Sequence, residues 1–136
     1  MAAQILRSLG QELFLPPNVK GWDGGLAWIT TNNLLARYNT AFFLIFGQNP
    51  LAGGEGKNRP RLKSGVVKAI EIIPEEARDD KGKVLAYLEQ RFIQGALKPA
   101  QERTLRDFLE NAGELDEPDL LHAIHLVMAT PEYQLA

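Results

Sequence analysis

Thr30-Thr31-Asn32-Asn33-Leu34-Leu35-Ala36-Arg37-Tyr38-Asn39-Thr40-Ala41-Phe42-Phe43-Leu44-Ile45-Phe46 is the stretch that decides the fold class. Thr30, Thr31 and Asn32 carry side-chain oxygens that can accept from the unpaired amides at a helix start. Leu34, Tyr38, Ala41 and Ile45 then follow at spacings of four, three and four, which predicts a helix from about Asn32 to Phe46. Its second half, Ala41 to Phe46, is apolar on every side, so it is expected to be the central, most buried helix. The aromatic run within it reads as core packing rather than a cofactor groove.

Downstream, the same period recurs three times with clear punctuation. Asp79 or Asp80 can cap a helix carrying Val84, Leu85, Leu88 and Phe92, with Gly95 as its stop. Pro99 suits the first turn of the next, which carries Leu105, Phe108, Leu109 and Ala112 and stops at Gly113. Asp116, Glu117, Pro118 and Asp119 open a third, where acids complement the positive end of the helix dipole ahead of Leu120, Leu121, Ile124, Val127 and Met128. Val66 to Ile73 is β-branched, but no partner strand is evident and Pro74 bounds it, so a short helix is expected there. Glu75-Glu76 and Asp79-Asp80 fall in polar connections, where nothing would desolvate them enough for acid–base work.

Upstream, Ile5, Leu6, Leu9 and Leu13 predict a short amphipathic helix over Gln4 to Leu13. Leu15 to Gly25 holds two prolines that fix φ and three glycines, so the backbone there is a specified turn. Gly47 to Gly65 carries five glycines and two prolines, with Lys57, Arg59, Arg61 and Lys63 against Glu55 alone. A connection of that length and composition is expected to be a mobile, basic loop within a single helical domain over residues 1–136.

The 136 residues are 45% hydrophobic and 24% charged, with a formal net charge of -2. Such a chain can bury one core. Fifteen Lys and Arg against 17 Asp and Glu leave no basic excess for a phosphate backbone, so no nucleic-acid partner is expected. Without cysteine there are no disulfides, thiolate metal sites or cysteine nucleophile. No run of apolar residues is long enough to span a membrane, and no export signal is evident.

The motifs that could carry chemistry fail on detail. Gly53-Gly54-Glu55-Gly56-Lys57-Asn58 resembles a phosphate loop, but Leu51 stands where a glycine is needed and Asn58 where a Ser or Thr is. His122 and His125 are three apart and can share a helix face, yet Ala123 follows the first and no third ligand is implied. Ser8 and Ser64 lie in no nucleophile elbow. No cofactor, metal or catalytic residue is therefore expected. Polar and aromatic residues are instead crowded between Pro16 and Arg37: Asn18, Lys20, Trp22, Trp28, Asn32 and Arg37. On the structural reading, Trp22 and Trp28 plug a rigid turn into the core while Asn18 and Arg37 satisfy buried backbone groups. The alternative is a surface for a sugar ring or an extended peptide. Glycines beside the Trp residues suit close packing on a ring, which favours the structural reading.

Leu9-Gly10-Gln11, Leu15-Pro16-Pro17-Asn18-Val19-Lys20-Gly21-Trp22, Trp28-Ile29 and Leu34-Leu35-Ala36-Arg37-Tyr38-Asn39 together resemble the signature of the bacterial domain-of-unknown-function family 1800. The closing Ala129-Thr130-Pro131-Glu132-Tyr133-Gln134 resembles the ending of the same family. This resemblance implies a C-terminal portion of a longer, often exported protein, and it carries no established activity or catalytic residue. The expectation is thus an all-α bundle of five or six helices, with a rigid Pro/Gly/Trp turn packed on a central helix. Its expected role is a non-catalytic structural or interaction domain, its partner being the rest of the parent polypeptide or another protein. The alternatives are a carbohydrate- or peptide-binding module using Trp22 and Trp28, and a hydrolase subdomain whose catalytic residues lie outside the chain.

Overall fold

The computed structural model describes residues 5–7, 9, 10, 14–21, 30–47 and 67–135. Among these, every regular element is helical. Helix α1 runs Thr31–Phe46; α2, Ala69–Ile72; α3, Glu75–Arg78; α4, Lys81–Leu88, continued by a π-helical turn at Glu89–Ile93; α5, Pro99–Asn111; α6, Glu117–Met128; and α7, Pro131–Leu135.

The ends of these helices follow from side chains that supply partners for free backbone groups. Thr30 Oγ1 accepts from Asn33 N at 3.2 Å and starts α1, one residue ahead of the expected Asn32. Gly47, at φ 66°, ends it by donating to the Phe43 carbonyl, a left-handed conformation that costs glycine least. Asp80 caps α4 by accepting from Gly82 N and Lys83 N, and Pro99 occupies the first turn of α5. Asp116 and Asp119 form a reciprocal capping box at the start of α6.

Several details differ from the sequence reading. The α4 segment ends at Gln94, in the left-handed region at φ 55°, rather than at Gly95. Its π turn takes up an extra residue, with Gln94 N donating to Glu89 O, and the Glu89 carboxylate then accepts from Leu97 N at 3.1 Å. Glu75-Glu76 begin a helical turn, α3, and Pro131 begins α7, where neither helix was expected. The β-branched stretch does become helical, but only over Ala69–Ile72. Its first amide, Ala69 N, donates to the Glu117 carboxylate at 2.6 Å, so a side chain from α6 caps it across 48 residues of chain.

The core gathers residues from α1 through α6, including Ile73, Val84, Leu88, Leu109, Ile124 and Val127. Helix α6 is the hub: it packs against α1, α2, α5, α7 and the π turn, and buries five residues. Helix α1 buries only Ala41 and Ile45, while Leu44 is 47% exposed, so the most buried helix is α6. An apolar run on every side of a helix predicts all-round burial, but α1 lies against the bundle on only part of its circumference.

Candidate functional site

One stripe of α1, Arg37, Thr40, Ala41 and Leu44, follows the i, i+3, i+4, i+7 rule and faces the chain's C-terminal turn. That turn is built locally. Thr130 Oγ1 donates to Val127 O at 2.7 Å and accepts from Tyr133 N at 3.4 Å, and Pro131 occupies the first position of α7. These contacts place Gln134 inward, only 5% exposed.

Gln134 is engaged at every polar atom. Its Oε1 accepts from Arg37 Nε at 2.8 Å, its carbonyl oxygen accepts from Arg37 Nη2 at 3.2 Å, and its Nε2 donates to Met128 O at 2.7 Å. Its own amide donates to Thr130 O at 3.1 Å. Arg37 therefore grips both the side chain and the backbone of a residue 97 positions away. A buried polar residue is tolerated on these terms, because every polar atom of Gln134 has at least one partner.

Beside this clamp lies a groove of about 220 Å³. Apolar Leu9, Leu44 and Met128 line it together with Arg37, Thr40 and Tyr133. Next to Leu9, Gly10 has φ 82° and sits against Asn33 of α1, where a Cβ would collide with the Asn33 amide. Both the backbone conformation and the close approach call for glycine at that position.

The residues singled out from sequence are scattered. Asn18 Oδ1 accepts from Lys20 N at 2.8 Å in a local turn, and both residues are exposed. Asn32 is exposed on the first turn of α1, five positions from the half-buried Arg37, which puts the two on different sides of the helix. Trp22 and Trp28 lie outside the described residues, as does nearly all of the Gly47 to Gly65 connection. Of the four that are described, Arg37 alone enters the clamp, where it donates to a backbone carbonyl. Gln134, Tyr133, Leu9 and Thr40 were not singled out. The closing Thr130-Pro131-Glu132-Tyr133-Gln134 was visible as a family ending, but nothing local tied it to Arg37.

His122 and His125 do share a face of α6, and aromatic rings of α1 lie against it, leaving His122 exposed. His122 lies 4.8 Å from Phe46 and His125 5.3 Å from Phe42, centre to centre. His122 Nδ1 is 2.8 Å from the Pro118 carbonyl, which places its proton on that nitrogen. Among the described residues no group of three or more His, Asp and Glu is placed to hold a metal ion. Burial, and then the neighbouring His122, hold the His125 pKa below its ordinary 6.5. Unfolded His125 therefore takes up a proton more readily than the folded form. Its contribution to stability is fully present above about pH 6.5 and is lost as pH falls through the folded value. Urea midpoints measured from pH 7.5 to 5 are expected to fall more steeply for the wild type than for His125→Gln; equal slopes would contradict this.

Among the described residues no helix is long and apolar enough to cross a membrane. No curated protein and no solved structure matches the chain. A family model described as "Protein of unknown function (DUF1800)" matches residues 1–135, a span that takes in Gly10 and Arg37 near one end and Gln134 near the other. With its two signature segments joined at the Arg37–Gln134 clamp, the chain belongs to the DUF1800 family.

Proposed function

We propose that this chain is a non-catalytic structural and interaction domain, in which the family's sequence signature serves mainly to assemble the fold. One observation carries this reading: Leu9, Gly10, Arg37, Tyr133 and Gln134 come from opposite ends of the chain and converge on one junction, with Gln134 buried and satisfied by its neighbours. Residues kept for turnover usually present an uncommitted acid, base or nucleophile. At this junction Gln134 presents none. The interaction half of the proposal is supported by the Pro16-Pro17 turn, which holds Phe14, Leu15 and Val19 at 94%, 63% and 107% exposure. Neighbouring large apolar side chains in water favour contact with another surface.

Thermal unfolding tests the structural half. Arg37→Met keeps the aliphatic stem and removes the donors, and it is expected to cost about 1–3 kcal/mol, or several degrees in Tm for a chain of this size. Asn18→Ala and Val19→Ser, at exposed turn positions, are expected to stay within about 0.5 kcal/mol of wild type. If Arg37→Met unfolded at the wild-type temperature, the signature would not be structural and this function would fall.

A further inference from the structure

Among the described residues, the Arg37 guanidinium has no anion beside it. Its Nε and Nη2 meet the two neutral oxygens of Gln134, and among the described residues no carboxylate lies within ion-pair distance of it. Nη1, with two N–H groups, has no acceptor among the described residues. The acid of α7, Glu132, forms its ion pair with Lys98, whose Nζ is 3.3 Å from its Oε1. A half-buried positive charge that meets only neutral acceptors keeps most of its attraction for an anion, and part of its hydration has already been removed. Gln134 also fixes the orientation of the guanidinium plane, so little rotational freedom is left to lose when a planar carboxylate binds.

The rest of the groove narrows the choice. Thr40 donates its hydroxyl proton to Ala36 O at 2.7 Å, so it offers a ligand only lone pairs. The Tyr133 hydroxyl has no partner among the described residues and can donate. Leu9, Leu44 and Met128 supply apolar contact. At about 220 Å³ the groove is smaller than the roughly 300–1,000 Å³ of sites for drug-sized ligands, which limits the occupant to a short molecule. We propose that the groove between α1 and α7 binds a small aliphatic carboxylate, its charge on Arg37 and its hydrocarbon part against Leu9, Leu44 and Met128. This site goes beyond the structural role and rests on it only for the orientation of the guanidinium, because the N–H groups offered to the ligand are those of Nη1, which Gln134 does not take.

The test is titration of the full chain, labelled at Met and Leu methyls, with hexanoate and with hexanol. Hexanoate is expected to shift the Met128 and Leu44 methyls saturably and to bind roughly ten- to hundredfold more tightly than hexanol, as a charge-assisted hydrogen bond implies. Leu44→Trp, at a half-exposed position, fills the groove without touching the Arg37–Gln134 bonds; it is expected to abolish the Met128 shift at an unchanged Tm. N-acetylleucine and its amide distinguish the source of the carboxylate. Preference for N-acetylleucine over both its amide and hexanoate assigns the terminus of a peptide, whereas preference for hexanoate assigns a free acid. Equal shifts with hexanoate and hexanol, no saturable shift with any acid, or binding that survives in folded Leu44→Trp would overturn the proposal.

Discussion

Leu88→Ala is expected to lower the unfolding free energy by about 2–5 kcal/mol, against a total of about 5–15 kcal/mol for a domain of ordinary stability. Leu88 is 0% exposed and sits at the end of α4, just before the π turn, within the same buried cluster as Val84, Leu109, Leu120 and Ile124. Truncation there loses the transfer free energy of the deleted carbons and leaves a cavity. Its chain neighbours are held in place, the Glu89 carboxylate by Leu97 N and Tyr87 by a hydroxyl that donates to Ile72 O at 2.8 Å. Leu88→Met, which nearly conserves volume, is expected to lose less than about 1.5 kcal/mol. Urea unfolding checks both, with the slope unchanged if the variants remain two-state. A loss below 1 kcal/mol for the alanine variant would mean that the core is not organised around this position.

Gln134→Ala is expected to cost about 2–4 kcal/mol, an unusually large value for a neutral polar residue on the five-residue helix α7. Removing the amide leaves Arg37 Nε and the Met128 carbonyl without their partners in a place water reaches poorly, and each orphaned group carries a penalty of about 1–3 kcal/mol. Gln134→Glu separates the two contributions. A carboxylate still accepts from Arg37, and with a full charge, but it cannot donate to Met128 O and places an oxygen against it instead. The Glu variant is therefore expected to fall between wild type and Gln134→Ala. Chemical denaturation of the three proteins at pH 7 supplies the comparison; a Gln134→Ala variant as stable as wild type would remove the clamp from the account.

What could be read from sequence was local. The capping residues Thr30, Asp80 and Asp116, and Pro99 at a helix start, act within three or four residues of themselves, so their roles were visible in the order of the chain. Periodicity placed Val84, Leu88, Leu105, Leu109 and Ile124 in the core, where they are found. The start of α2 was less visible, because its capping carboxylate, Glu117, comes from a different helix. The exposure of Leu44 was hidden for a related reason: residue type says that a helix face can be buried but not whether the bundle has a neighbour to cover it. The clamp was beyond any local rule. Arg37 was noticed for its crowded surroundings and Gln134 only as part of a closing motif. The hydrogen bonds that join them cross 97 residues, and nothing in either segment points to the other.

Whether Arg37 and Gln134 hold the two ends of the chain together is decided by a double-mutant cycle on Arg37→Met and Gln134→Leu, read by urea denaturation. The expected coupling is about 1–3 kcal/mol, the double variant being far less damaged than the sum of the single ones, because either substitution alone already breaks the same bonds. Additivity within about 0.5 kcal/mol, the behaviour of independent sites, would contradict it.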